Sequence, residues 1–134
     1  MIFFRSSKRA ELIRLAYVAG AILMLLAVAL GAFGTHALGA SLRISGNLEV
    51  YNTANQYHFF HALALLIIAG MGQRIPERMM MVVVYSMLIG VVLFSGSLYL
   101  LAVLDFSALG IITPIGGVSL LLAWFCLVIS QIKS

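Results

Sequence analysis

Four stretches of this chain contain no Asp, Glu, Lys or Arg: between Arg14 and Arg43, Glu49 and Arg74, Arg78 and Asp105, and Asp105 and Lys133. Each is long enough for the roughly 20 apolar residues that a helix needs to cross a bilayer. Composition points the same way, since 63% of the 134 residues are hydrophobic and 9% are charged, against about 45–50% and 25% in soluble domains. Runs such as AILMLLAVALGAF and ALALLIIAG lack the period-two alternation of a membrane β-barrel strand. The expected fold is all-α, an integral membrane four-helix transmembrane bundle. Its domain covers 15–134, with spans near 15–35, 54–72, 79–101 and 114–130, after a basic segment over 1–14.

Charge sets the expected orientation. Lys and Arg divide seven to one between alternate segments, with Arg5, Lys8, Arg9, Arg14, Arg74, Arg78 and Lys133 on one side and Arg43 on the other. The positive-inside rule then places both termini and the second connection in the cytoplasm, making this a multi-pass membrane protein. The net charge of +4 is read as a topology signal that also favours anionic lipid, not as a nucleic-acid surface. The first apolar stretch exceeds the 7–15 residues of a signal-peptide core and is read as a retained helix. Phe3 and Phe4, followed by bases, leave the N-terminal segment either lying along the inner surface or disordered. Cys126, the single cysteine, has no intrachain disulfide partner and is read as a small apolar filler.

Small residues recur along the spans: Ala16, Gly20, Ala27, Gly31 and Thr35 in the first, Ser86, Gly90 and Ser97 in the third, and Gly116, Ala123 and Ser130 in the fourth. Such ridges let helix backbones approach closely, so Gly20, Gly31, Gly90, Gly116 and Gly117 are expected at packing contacts. Ser45-Gly46-Asn47 signals a turn, with Asn47 as the expected N-cap of the helix that enters the second span. Thr113-Pro114 suits the start of the fourth, Thr as cap and Pro where no helical N–H partner exists.

Chemistry-bearing residues gather at one level. In the expected topology His36 ends the first helix and His58 and His61 lie early in the second. Ser95, Ser97 and Tyr99 lie toward the same end of the third, and Thr113 opens the fourth. His58 and His61 are three apart, and Tyr57 is the i−4 neighbour of His61, so all three sit on overlapping faces. Ionisable groups within a span mark proton relays, ion paths or ligand sites; the competing reading is a set of interhelical hydrogen bonds worth about 0.6 kcal/mol each. The second is preferred, because no carboxylate lies within a span to serve as catalytic partner or to balance a metal dication. His36, His58 and His61 are the only candidate metal ligands, and no metal or other cofactor is expected. Under either reading the histidines answer to external pH.

The segments GAFGTHAL (31–38), NTANQYHFFHALALL (52–66), LFSGSLYLLA (93–102) and TPIGGVSLLLAW (113–124) together resemble the domain-of-unknown-function 423 family of small bacterial inner-membrane proteins. The resemblance runs over roughly 15–130. The motif positions that carry it are Gly31, Gly34, His36, Tyr57, His58, His61, Ser95, Gly96, Ser97, Tyr99, Thr113, Pro114, Gly116 and Gly117. It implies an inner-membrane helical bundle and brings no agreed activity.

The functional expectation is a membrane protein without catalysis of its own. It would be an accessory, assembly or scaffold component whose partners are the lipid bilayer and either itself or a larger membrane complex. The alternative is a small oligomeric carrier or channel, proton- or metal-linked through the histidines.

Overall fold

The computed structural model describes residues 7–133; Phe3, Phe4 and Arg5, and with them the expected surface placement of the extreme N-terminus, lie outside the described residues. The elements run α1 (Lys8–His36), α2 (Gly39–Ser45), α3 (Leu48–Gly70), α4 (Glu77–Leu104), a 3-10 turn (Ser107–Ile111) and α5 (Thr113–Ile132). The described residues thus hold five α-helices rather than four, the addition being α2 in the first connection. No strand occurs among them.

The helix boundaries follow from local chemistry. Helix α1 starts seven residues before the expected span because Ser7 caps it. The Ser7 hydroxyl accepts from the Ala10 N–H at 3.2 Å, and Glu11 in the first turn complements the helix dipole. Helix α2 stops at Gly46, whose φ of 76° lies in the left-handed region that glycine enters without strain. Asn47 occupies the N-cap position of α3 as expected, but its side chain does not cap it. The amide Nδ2 donates instead to the Asp105 carboxylate at 3.0 Å and the Ala102 carbonyl at 3.3 Å, tying the start of α3 to the end of α4. Thr113 likewise opens α5 without a capping bond, with Pro114 in the first turn.

Packing is sequential rather than closed. The main interfaces are α1 with α3, α3 with α4, and α4 with α5; α1 touches α4 lightly, and α5 has no substantial interface with α1 or α3. The principal core joins Leu12 and Ala16 of α1, Leu65 and Ile68 of α3, Met80, Val84 and Met87 of α4, and Leu120 and Ala123 of α5. Glycines set several separations. A Cβ at Gly20 would stand 3.1 Å from Leu65 Cβ, at Gly31 2.9 Å from Asn55 Oδ1, and at Gly90 2.5 Å from Leu120. At Gly116 it would strike the Phe94 backbone N–H. Gly117 is a weaker contact than expected, since a Cβ there meets only the Phe94 ring at 3.7 Å. Gly34 against the Tyr51 ring and Gly72 against Ile13 are equally close approaches outside the expected packing set.

Large apolar side chains such as Leu25, Val92, Ile115, Val118, Leu121 and Phe125 are exposed, far more than a soluble monomer carries. Three segments are long and apolar enough to cross a membrane: α1, α4, and the 3-10 turn with α5. Helix α3, expected as the span over 54–72, is not among them, because Asn52, Asn55, Gln56, His58 and His61 fill its first half. It lies between α1 and α4, so Asn55, His58 and His61 meet protein rather than lipid, while Asn52 and Gln56 stay exposed.

At the opposite end of the bundle, Arg9 Nη1 donates to the Gly72 carbonyl at 2.7 Å and the Ile75 carbonyl at 2.5 Å. It thereby pins the start of α1 to the α3–α4 connection. Arg9→Ala is expected to lower unfolding free energy in detergent by about 1.5–3 kcal/mol, the usual worth of hydrogen bonds from a charged donor; equal stability of the two proteins would refute this role. For the α4–α5 contact, Gly116→Ala should destabilise by about 1–3 kcal/mol although alanine is the better helix former by about 1 kcal/mol. Gly117→Ala is the matched control, and a thermal-unfolding comparison in which both variants behave alike would remove the special status of Gly116.

Candidate functional site

The polar face of α3 is a stripe. Tyr51, Asn55 and His58 stand at i, i+4 and i+7, one helical face, and α3 turns that face toward α1 and α4. The Asn55 amide Nδ2 donates to the Ala27 carbonyl of α1 at 2.9 Å and to the Tyr99 hydroxyl of α4 at 2.9 Å. His58 Nδ1 lies 3.0 Å from the same hydroxyl. Tyr51 donates its hydroxyl to the Leu30 carbonyl at 2.5 Å and packs edge-on against the Tyr99 ring, centroids 5.1 Å apart. Three helices are joined through one amide, that of Asn55.

The pattern assigns protons. Tyr99 Oη accepts from Asn55, and its own proton has one acceptor among the described residues, His58 Nδ1. A neutral imidazole that accepts at Nδ1 carries its hydrogen on Nε2. His61 is the reverse case. Trp124 Nε1–H, a donor only, reaches His61 Nε2 at 3.1 Å, so His61 carries its hydrogen on Nδ1 and donates it to the Tyr57 carbonyl at 2.7 Å. The Tyr57 ring stacks on His61 at 5.9 Å and packs on Phe94 at 4.6 Å. This group forms the one specific link between α3 and α5.

The expected cluster therefore divides. Ser97 and Thr113 share a 2.7 Å hydrogen bond between α4 and α5, and Ser97 also donates to the Phe94 carbonyl at 3.0 Å. His58 and Tyr99 belong to the α1–α3–α4 network, and His61 and Tyr57 to the α3–α5 link. His36 joins neither: it is exposed at the end of α1, and its ring makes no hydrogen bond with any described residue. Among the described residues no three His, Cys, Asp or Glu side chains converge as a metal site would need. Ser95 is buried, and its hydroxyl has no hydrogen-bond partner among the described residues.

Tyr51, Asn55, Trp124 and Ser119 belong to this machinery although sequence reading passed over them. Ser119 Oγ donates to the Ser86 carbonyl at 2.7 Å, a second α5–α4 tie. The i, i+4, i+7 spacing of Tyr51, Asn55 and His58 was a usable signal; nothing in the sequence marked Trp124 as the partner of His61.

Two hollows adjoin these groups. A groove of about 750 Å³ runs along α3 and α5, with Gln56, Tyr57, His61 and Trp124 toward one end and Ile67 and Met71 toward the other. A crevice of about 210 Å³ lies where α1 and α4 meet only lightly, walled by Leu23, Leu30, His58, Val91, Ser95 and Tyr99.

Residues 30–117 match the family described as "Protein of unknown function (DUF423)". Among curated proteins, the UPF0382 membrane protein YwdK of Bacillus subtilis is 42% identical over 87% of this chain and 94% of its own length. A UPF0382 membrane protein of Haemophilus influenzae is 39% identical over 80% of this chain and 85% of its own. The UPF0382 inner membrane protein YgdD of Escherichia coli is 37% identical over 79% and 80%. No solved structure matches. With its helical frame, exposed apolar faces and this coverage, the chain belongs to the DUF423 family of membrane proteins.

Proposed function

We propose that this is a non-catalytic accessory protein of the bacterial inner membrane, a bundle whose four long helices all lie in the bilayer with both termini cytoplasmic. The observation that carries this reading is how the polar side chains are spent. Both nitrogens of His61, the Tyr99 hydroxyl, and the Ser97 and Thr113 hydroxyls all join one helix to another or to its own backbone. A general acid, base or nucleophile needs an available proton or lone pair facing substrate, together with a group to orient it. Asp105 is engaged by Asn47, and no carboxylate accompanies the histidines.

An accessory role also accords with the attachment of α5. Among the long helices it has an extensive interface with α4 only and leaves Ile115, Val118, Leu121 and Phe125 outward, an apolar ridge suited to a second copy or a larger membrane protein. The side assignment rests on the seven-to-one division of Lys and Arg, and the inner membrane on the printed name of the Escherichia coli relative.

A second reading, a small carrier working as an oligomer, has one observation in its favour: His58 Nε2 and Ser95 Oγ are buried without hydrogen-bond partners among the described residues beside a crevice open toward lipid.

The clasp is measured by a double-mutant cycle on His61→Phe and Trp124→Phe in detergent, with an expected coupling of about 0.6 kcal/mol, typical of interhelical hydrogen bonds in membranes. Zero coupling removes it. Single cysteines placed at Leu121 and Phe125 in a Cys126→Ala background should cross-link between copies, or to one stoichiometric partner, in native membranes; uniform absence of cross-links along α5 ends the accessory reading. The carrier reading fails if proteoliposomes show the same proton and metal fluxes for the native protein and for His58→Ala and His61→Ala.

A further inference from the structure

The two buried polar side-chain atoms without a hydrogen bond among the described residues, His58 Nε2 and Ser95 Oγ, belong to residues that wall the same crevice. His58 is 4% and Ser95 2% exposed. An unpaired buried polar group costs about 1–3 kcal/mol, and this crevice opens toward lipid, where water does not compensate. The Leu23 carbonyl of α1 approaches the His58 ring as a weak backbone hydrogen-bond acceptor, short of full hydrogen-bond geometry at Nε2.

Both atoms offer hydrogens. The bond between Tyr99 and His58 Nδ1 leaves the imidazole hydrogen on Nε2, and Ser95, unlike Ser97, Ser119 and Ser130, gives its hydroxyl proton to no backbone carbonyl. The vacant chemistry is therefore that of an acceptor. Water accepts two hydrogen bonds but brings two protons of its own, and the remaining walls, Leu23, Leu30, Val91, Val92, Gly96 and Tyr99, offer them little beyond the Leu23 carbonyl beside His58. A carbonyl oxygen accepts two and strands none. The hydrocarbon walls suit an apolar molecule, and Val92, 62% exposed at the mouth, places the entrance in the bilayer. Both polar atoms are buried in the walls of the crevice, so an occupant reaches them only by displacing the apolar atoms that cover them.

We propose that the crevice between α1 and α4 binds the carbonyl oxygen of a membrane-dissolved lipophile, held by His58 Nε2–H and Ser95 Oγ–H. The carbonyl comes from one of two sources, a phospholipid ester or the ring ketone of a quinone-type compound. Nothing in this inference rests on the accessory reading, and either can fail alone.

The test is nuclear magnetic resonance of the full chain with 15N-labelled histidine, in nanodiscs of ester-linked or ether-linked phosphatidylglycerol, with and without 2-methyl-1,4-naphthoquinone. His58 should carry its hydrogen on Nε2, and this resonance should move with an occupant while that of His61 stays fixed. A difference between ester and ether discs assigns the lipid ester; a shift produced by the quinone in ether discs assigns the ring ketone. Ser95→Ala should weaken saturation about tenfold, equivalent to about 1.4 kcal/mol, and Ser95→Thr should restore it. Val92→Trp, at the lipid-exposed mouth, should abolish the shift while the His61 signal reports an intact fold, which keeps the test decisive if Ser95→Ala fails to fold. The proposal is overturned by a hydrogen on His58 Nδ1, by identical His58 signals in every disc and with quinone, by exchange contact of Nε2–H with water alone, or by a shift that survives Val92→Trp.

Discussion

Asn55 and Tyr99 meet at the one point where α1, α3 and α4 share a hydrogen-bond network, and much of the bundle is shaped around that meeting. In lipid there is no apolar driving force between helices, so association depends on close packing and on polar groups finding one another. Asn55 reaches the Ala27 carbonyl across the α1–α3 interface. That approach needs Gly31, where a Cβ would press on the Asn55 amide oxygen, and Gly34, where it would enter the Tyr51 ring. Removing side chains from α1 is what lets α3 present amide, phenol and imidazole to its neighbours. The cost of carrying polar groups at membrane depth is offset by giving them protein partners.

Helix α5 is joined on different terms. Its contact with α4 is backbone-close at Gly116 and Gly90 and is reinforced by Ser119 on the Ser86 carbonyl and by Thr113 on Ser97. Toward α3 it has the indole of Trp124 on His61 and little else. The result is one three-helix body and an appended helix, with the long groove as the gap left between α3 and α5. The apolar faces on α5 follow from this arrangement, since a helix packed along one side leaves the rest of its circumference to lipid or to another protein.

Most of the architecture was legible because it depends on properties every residue carries. The absence of charge over four long stretches marks the long helices, and Gly46 and Pro114 mark turns that only a few residues satisfy. The departures have specific physical causes. Helix α2 is seven residues long, too short for periodicity to register. Ser7 and Glu11 carried a start signal for α1 that the following apolar run obscured. Asn47 looked like a cap because its position is one, yet Asp105, in a left-handed conformation at φ 53°, offers its amide a charged acceptor. The site was half legible. The level of His58, Ser97, Tyr99 and Thr113 was set by their positions along the helices, but height along a helix does not decide which neighbour each side chain meets. That is why His36 was grouped with residues it does not touch and Trp124 was passed over.

The opposite tautomers of His58 and His61 determine what chemistry the site retains. A metal ion binds imidazole through a lone pair. The His61 lone pair, on Nε2, holds Trp124, and the His58 lone pair, on Nδ1, receives the Tyr99 proton. Coordination by either would break a helix–helix bond, and His36 lies apart from both. What His58 leaves unspent is an N–H, and what Ser95 leaves unspent is an O–H. Two donors facing hydrocarbon walls select a neutral oxygen over a cation, so whatever small molecule this bundle recognises is set by which nitrogen of His58 Tyr99 engages.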